Sequence, residues 1–264
     1  MILAVPFRVW SSTHILAVCR EALQQEEARR IAEQAVYGLE SLDEVDLHPI
    51  LAASIADAGF GVLREQLYPA EWRRKKGRRK DLPEDSERQR CDLVLTPRPG
   101  QSLADPLQHQ RSAERDRVAI RGTLFEQLAA AAEPAPAAQN DAAIDPADCF
   151  WLEVKLVAQF AYAAGVPGPN RAYTSQLIRS IGADLRKLRD DPAITRGAAL
   201  LVLLTADRAV AEADIPTLVH RLTDKRLGVR SPIIDGFRIP DRIGNMWCAV
   251  ALLELAASDR APAA

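Results

Sequence analysis

The sequence predicts an α/β protein, and three segments lead to that prediction. Residues 150–160, FWLEVKLVAQF, alternate in the manner of a β-strand, whereas the apolar run GAALLVLLT at 197–205 is typical of a strand covered on both faces. Between them, TSQLIRSIGADLRKLRDD carries its apolar residues at helical intervals. A strand, a helix and a second strand therefore follow one another along the chain.

The composition is that of a folded protein. Of the 264 residues, 48% are apolar and 27% are charged, which predicts one large domain with a sizeable core. The net charge of −2 gives no overall attraction to nucleic acid, so such binding would depend on local basic clusters. We find no signal peptide and no apolar run of membrane-spanning length, which predicts a cytoplasmic protein without membrane contact.

The four cysteines carry little functional information. They are widely spaced and form no CxxC pair, so the sequence indicates neither a zinc ribbon nor a disulfide scaffold. We expect Cys19, Cys91, Cys149 and Cys248 to be reduced and buried. Cys91 and Cys149 are the exception to watch, because their strands could pair.

The first third of the chain reads as two helices followed by two strands. Apolar spacing predicts helices over residues 13–39 and 46–58, the second introduced by DLHP and ended by Gly59. FGVLREQLYP then predicts a strand closed by Pro69, and CDLVLTP predicts a buried strand. Between these strands, residues 72–90 hold nine Lys or Arg and predict an exposed basic loop.

The remaining segments are an insertion, a linker and a C-terminal extension. Residues 101–148 combine polar stretches, a short predicted helix at 122–132 and an Ala/Pro-rich tract, a composition that cannot pack a core. AAGVPGPNRAY, at 163–173, is interpreted as a linker. After the apolar strand we predict a helix over 209–222. NMWCAVALLEL predicts one more helix or strand, of which we favour a strand.

Two charged residues interrupt the apolar strand at 150–160. Glu153 and Lys155 are two positions apart and therefore share one face of the strand. Asp92 opens the buried strand that precedes it in the predicted order. Because hard cations prefer carboxylate and carbonyl oxygens, Asp92, Glu153 and the Val154 carbonyl are suitable ligands for Mg²⁺ or Mn²⁺.

This order of elements resembles the αβββαβ core of the PD-(D/E)xK nuclease superfamily, with Asp92 and Glu153-Val154-Lys155 at its motif positions. The resemblance implies a restriction-endonuclease-like fold, with a mixed central sheet flanked by helices and a long insertion between core strands 2 and 3. It divides the single domain into an N-terminal helical region (1–45), a nuclease core (46–98 and 149–206), an insertion (99–148) and a C-terminal extension (207–264).

The resemblance also implies how the site would work. Asp92 and Glu153 would hold the metal, and Lys155 would orient or deprotonate the attacking water, or neutralise charge on the phosphate. The sequence leaves those roles open. An acid from the first core helix would complete the site; Glu44 is the first candidate and Glu65 the second. Glu44 has an equally good structural explanation, since an acid at a helix start stabilises the helix dipole.

The chain departs from the family pattern in three places. Cys91 stands where the family name has proline, and 60 residues separate Asp92 from Glu153. Ser180, not tyrosine, follows four residues after Gln176, so the QxxxY pattern of RecB-type exonucleases is absent. An exonuclease is therefore less favoured than an endonuclease.

The predicted function is Mg²⁺- or Mn²⁺-dependent hydrolysis of DNA in defence, restriction or repair, by a homodimer or with a partner protein. Basic residues would contact phosphates; they are Arg73, Arg74, Lys75, Lys76, Arg78, Arg79, Arg179 and Arg186. Solvent exposure without binding explains the loop residues equally well, and it is the favoured explanation for Arg179 and Arg186. Two alternatives stay open: a catalytically inactive binding subunit with this fold, and a protein whose carboxylates are unrelated surface residues.

Overall fold

The protein is described from a computed structural model that covers residues 10–70, 88–105, 107 and 143–256. Those residues form an α/β fold with a mixed six-stranded central sheet flanked by helices. The α/β class predicted from the sequence is therefore confirmed. The basic loop apart from Arg88, Gln89 and Arg90, and the predicted helix at 122–132, lie outside the described residues.

Four α-helices of ten residues or more and ten strands are the main elements of the described chain, which also contains the 3-10 helices Leu39–Ser41 and Pro146–Asp148. The helices are α1 (Ser12–Ala32), α2 (Glu44–Asp57), α3 (Ile181–Asp190) and α4 (Arg208–Asp224). A short helical turn (Tyr173–Ser175) and a π-helical segment (Gln176–Ser180) lead directly into α3. The strands are β1 (Gly61–Leu67), β2 (Arg90–Thr96), β3 (Ser102–Leu103), β4 (Ala143–Ile144), β5 (Phe150–Ala158), β6 (Phe160–Ala163), β7 (Val166–Pro169), β8 (Gly197–Thr205), β9 (Ile233–Arg238) and β10 (Trp247–Glu254).

The central sheet has the order β1-β2-β5-β8-β10-β9. Only β5 and β8 are parallel, joined by the crossover that contains α3, and all the other neighbours are antiparallel. Every residue of β8 is buried, as its uninterrupted apolar run predicted, because helices cover both of its faces. The strand predicted from NMWCAVALLEL is confirmed as β10, which lies beside it.

The helices form two layers, one on each face of the sheet. α1 and α2 pack on the face that carries Leu152, Val154 and Leu200. α3 and α4 pack on the opposite face, around Val157 and Leu201. The alternation seen in the sequence of β5 thus places successive residues in different layers of the core.

The start of α2 differs from the predicted helix at 46–58. Asp43 and Asp46 form a capping box, in which each side chain accepts a hydrogen bond from the other's backbone amide, so the helix begins at Glu44. Pro49 consequently lies inside the helix and does not introduce it. This shift moves Glu44 into the first helical turn.

Three other features differ from the prediction: the end of a helix, a segment interpreted as a linker, and an edge strand. The helix predicted over 13–39 ends at Ala32, where Gln34 takes a left-handed backbone (φ 55°). The linker at 163–173 instead contributes to a hairpin of β6 and β7, whose turn uses Ala164 (φ 51°) and Gly165 (φ 79°). Edge strand β9 was missed, since its segment contains Asp235 and Gly236 and lacks clear alternation.

Two further predictions concern the cysteines and the membrane. All four cysteines are buried and free, as the sequence predicted, so Cys91 and Cys149 are not joined. Among the described residues, the structure contains no helix with the length and apolar character needed to cross a membrane.

Candidate active site

The candidate site lies where β5 separates from β2. The two strands pair only from Leu93–Leu152 to Leu95–Phe150, whereas β5 pairs with β8 along almost its whole length. Beyond the last pair, the Asp92 carboxylate replaces the backbone of β2: its Oδ2 accepts the Val154 N–H at 2.7 Å. The side chain of Asp92 therefore marks an opening in the sheet, beside Glu153 and Lys155.

A cluster of potential metal ligands faces this opening. His48 from α2, Glu65 from β1 and Asp92 from β2 each offer a ligand atom, and these atoms all lie within 4.8 Å of one another. No other group of three or more acidic, histidine or cysteine side chains meets that distance among the residues that the structure describes. Glu65 reaches the cluster from a left-handed backbone (φ 53°) that interrupts the pairing of β1 with β2 at Asp92.

The histidine in this cluster is incompletely partnered. The His48 side chain is only 2% exposed; its Nδ1 lies 3.2 Å from Glu65 Oε1, and its Nε2 lies 3.7 Å from Asp92 Oδ1, too far for a hydrogen bond. A buried polar atom without a partner is costly unless something else binds it. One imidazole nitrogen and two carboxylates form a donor set that suits a divalent cation, so the residues fit a metal.

Lys155 is held between two carboxylates. Its Nζ lies 2.6 Å from Glu44 Oε1 and 3.1 Å from Asp184 Oδ2. Burial lowers the pKa of Lys155, but the hydrogen bond to Glu44 and the charge of Asp184 outweigh burial and raise the pKa above its ordinary value. In this geometry the side chain carries a fixed positive charge.

Glu153 is a buried carboxyl group, with only 2% of its side chain exposed. The Tyr68 hydroxyl donates a hydrogen bond to its Oε1 at 2.5 Å, and Lys187 Nζ lies 3.9 Å from the same oxygen. Burial, followed by the charges of Asp92 and Asp184, raises the pKa of Glu153 from 4.5 to about 8. A cation near this carboxyl group would favour its ionised form.

The structure thus brings most of the predicted residues to one place. Glu44 contacts Lys155, and the second candidate, Glu65, also reaches the site through His48. Val154 contacts Asp92 through its amide. Arg179 and Arg186 lie on the helical segment after β5 and are exposed, while Arg73, Arg74, Lys75, Lys76, Arg78 and Arg79 lie outside the described residues.

The sequence did not assign functional roles to Asp184, Lys187 or Tyr68. Asp184 did carry a signal, because it lies three residues after Ile181 and four before Leu188, both on the apolar stripe of α3. An acid within such a stripe is buried and needs a partner. Tyr68 and Lys187 carry no comparable signal, since their contacts with Glu153 arise only from the tertiary fold.

Comparison with family models, with curated proteins and with solved structures found no match for this chain.

Proposed function

We propose that this chain is a metal-dependent nuclease of the PD-(D/E)xK type that hydrolyses phosphodiester bonds in DNA. One observation carries the proposal: a cluster suited to a cation (His48, Glu65 and Asp92) adjoins, through the Asp92–Val154 hydrogen bond, the strand that carries Glu153 and Lys155. Metal-dependent phosphodiester hydrolysis needs these components, namely cation ligands and a cationic side chain beside them.

The order of the elements supports the same reading. Setting aside the short β3, β4, β6 and β7, the chain runs α2, β1, β2, β5, α3 and β8, which follows the αβββαβ order of the superfamily. In that scheme Asp92 belongs to the second core strand and Glu153 to the third. The proposed family rests on this order together with the site, since neither is specific alone.

The metal ligands in this proposal differ from those predicted. His48 and Glu65 are proposed as ligands together with Asp92. Glu153 is not among them, because its carboxyl group is buried and accepts a hydrogen bond from Tyr68. A bound divalent cation would stabilise negative charge on a phosphate and lower the pKa of a water molecule. An imidazole ligand makes this site better suited to Mn²⁺ than a site with oxygen ligands alone. Mg²⁺ is compatible with the two carboxylates.

Lys155 is proposed to act through its charge. The two carboxylates that contact it keep its ammonium protonated, so it orients water or offsets charge on the phosphate, and it does not serve as the base. Of the roles that the sequence left open, the proposal therefore keeps water orientation and charge neutralisation and drops proton abstraction. Glu44 then acts as the residue that holds Lys155 on the side of α2.

Substrate contacts outside the centre are assigned to basic side chains. Arg179 and Arg186 are exposed on the segment after β5, where they can reach a nucleic-acid backbone. The six basic residues from Arg73 to Arg79 lie outside the described residues and are proposed, from the sequence, to add phosphate contacts. Since phosphate contacts release counterions, binding should weaken steeply as the salt concentration rises.

Cleavage of plasmid and linear DNA in Mg²⁺ or Mn²⁺ tests the proposal. We expect wild-type protein to cleave, a chelator to abolish cleavage, and Lys155→Ala to reduce the rate by about 100-fold or more. Lys225→Ala, which alters an exposed lysine of the α4 C-cap, serves as the matched control. Equal rates for wild type and Lys155→Ala would contradict the proposal, as would absence of cleavage with either metal.

A non-catalytic, nucleic-acid-binding subunit is the second candidate. The observation that favours it is the engagement of Glu153 by Tyr68 and of Lys155 by two carboxylates, which leaves neither group free for a substrate. Such a subunit would retard DNA in a gel without cleaving it. Cleavage that Lys155→Ala abolishes would exclude this candidate.

A further inference from the structure

Helix α3 supplies two charged residues to the ExK strand that the proposed reaction does not yet use. We propose that Asp184 is the positioning residue of the reactive centre, fixing Lys155 directly and Glu153 through Lys187. The inference deepens the proposed function and rests on it for its kinetic consequence. The geometric part concerns the folded chain and can be tested without any substrate.

Burial makes Asp184 dependent on its two partners. Its side chain is only 6% exposed, and it lies on the apolar face of α3 beside Leu185 and Leu188. A carboxylate in such a place is costly unless it is paired. Its Oδ1 lies 2.5 Å from Lys187 Nζ and its Oδ2 lies 3.1 Å from Lys155 Nζ, so one ammonium lies near each oxygen. The contact of Oδ2 with Lys155 is an ion pair without hydrogen-bond geometry.

The first partner, Lys155, lies between the two helical layers and contacts one residue of each. Glu44 approaches from α2 on one face of the sheet, and Asp184 approaches from α3 on the opposite face. A lysine side chain has four flexible carbon–carbon bonds, and two contacts from opposite sides restrict it far more than one contact does. Removing Asp184 would leave Lys155 attached only to α2.

The second partner, Lys187, carries this restraint to Glu153. It lies one helical turn after Asp184 on α3, and its Nζ lies 3.9 Å from Glu153 Oε1. Tyr68 contacts the same oxygen. A single carboxylate on α3 therefore orders the acid and the lysine of the ExK strand together, and its loss should disturb both.

Amine labelling tests the geometric part. The full chain is treated with an amine-acylating reagent, and the labelling rates of Lys155 and Lys187 are followed by mass spectrometry. In Asp184→Asn we expect both rates to rise by about tenfold, because each ammonium loses an oppositely charged neighbour. Asp190→Asn, which removes an ion-paired acid from the same helix, should leave both rates unchanged. Unchanged rates in Asp184→Asn would overturn the proposal.

Folding must be separated from positioning. Near-ultraviolet circular dichroism of both variants shows whether the core remains packed, and Asp184→Glu, which restores the charge, should bring the labelling rates back toward wild type. If Asp184→Asn unfolds, Lys187→Met provides the second test: the Lys155 rate should stay low while Asp184 remains. A tenfold rise of the Lys155 rate in a folded Lys187→Met would overturn the direct contact.

Kinetics test the consequence for the reaction. We expect Asp184→Asn to lower kcat by about 10- to 100-fold with KM unchanged, since misplaced reactive groups slow the chemical step. In a background that already carries Lys155→Ala, the same substitution should cost much less. If Asp184→Asn lowered kcat by the same factor in the Lys155→Ala background as in wild type, the positioning role would be overturned. A change in KM alone would overturn it too.

The two proposals can fail separately. If wild-type protein never cleaves DNA while the labelling rates behave as expected, the proposed function fails and the geometric assignment of Asp184 stands. If wild-type protein cleaves and the labelling rates do not change, the nuclease stands and Asp184 is not the positioning residue.

Discussion

The two sides of the opening between β2 and β5 differ in how completely their polar and charged side chains are paired. On the side formed by α2, β1 and β2, His48 Nε2 has no hydrogen-bond partner among the described residues, and Glu65 is 47% exposed. On the side formed by β5 and α3, Glu153 and Asp184 are almost fully buried, and both contact lysines. On the second side, Asp184 Oδ2 also lacks a hydrogen bond among the described residues, but the ammonium of Lys155 lies 3.1 Å from it. The first side is therefore suited to accept a cation, whereas on the second side lysines already lie beside the carboxylates.

This difference indicates which interactions serve function. A buried ring nitrogen without a hydrogen bond costs about 1–3 kcal/mol, and a bound cation at His48 would offset that cost. The paired side can be explained by stability as well as by function. Variants on the incompletely paired side should therefore change metal binding and activity, and variants on the paired side should change stability too.

The largest effect is expected at Asp92, which belongs to both sides. Asp92→Ala should reduce DNA cleavage by about 100-fold or more, because it removes a proposed cation ligand. It should also lower the free energy of unfolding by about 1–3 kcal/mol, because the Val154 N–H loses its acceptor. Cleavage rates and urea unfolding measure the two losses. Asp57→Ala, at the exposed end of α2, is the control, and equal behaviour of the two variants would contradict the account.

The second effect concerns the pH dependence of stability on the paired side. Because the pKa of Glu153 rises from 4.5 to about 8 on folding, the folded chain keeps a proton that the unfolded chain releases within this range. The free energy of unfolding should therefore fall as the pH rises from 4.5 to about 8.

Glu153→Gln removes that titration. With a chelator present, we expect the variant to gain at least about 1.4 kcal/mol over wild type between pH 5 and pH 9, the equivalent of one pKa unit. Thermal unfolding at the two pH values measures the difference. Glu21→Gln, an exposed site on α1, should show no such change. A pH dependence that persists in Glu153→Gln would contradict the assignment.

The third effect concerns metal affinity on the incompletely paired side. His48→Ala should weaken Mn²⁺ binding by at least about tenfold, or about 1.4 kcal/mol, when titrated by calorimetry. His220→Ala, on the exposed face of α4, should bind the metal like wild type. Unaltered Mn²⁺ affinity in His48→Ala would remove histidine from the proposed ligands.

The smallest effect is expected at Tyr68. Tyr68→Phe removes the hydrogen bond to Glu153 and leaves the ring stacked near Trp151, so we expect a loss of stability of about 1 kcal/mol. Metal affinity should stay the same, because Tyr68 is not among the proposed ligands. Tyr37→Phe, at an exposed ring, is the comparison. A loss of Mn²⁺ binding in Tyr68→Phe would show that the two sides are not separate.

The fold was predictable where a pattern is local. The alternation in β5, the apolar run of β8 and the amphipathic stripe of α3 each lie within a few residues, and each element was found where expected. The edge strand β9 and the hairpin of β6 and β7 were not predicted. Edge strands tolerate glycine and polar residues, so their sequences lack a strong signal.

The site was predictable only in part. The family resemblance implied that Glu44 completes the site, but its contact with Lys155 was not predicted. The cluster of His48, Glu65 and Asp92 depends on a left-handed backbone at Glu65. No local rule places a glutamate in that conformation. The partners of Glu153 come from β1 and α3, so only the folded structure could reveal them.

Binding of a divalent cation by His48, Glu65 and Asp92 can be observed by anomalous X-ray scattering from crystals of the full chain soaked in Mn²⁺. We expect a peak at about 2–2.3 Å from a ring nitrogen of His48 and from carboxylate oxygens of Glu65 and Asp92. A peak held by Glu153 and Asp184 instead, or no peak at concentrations that support DNA cleavage, would contradict it.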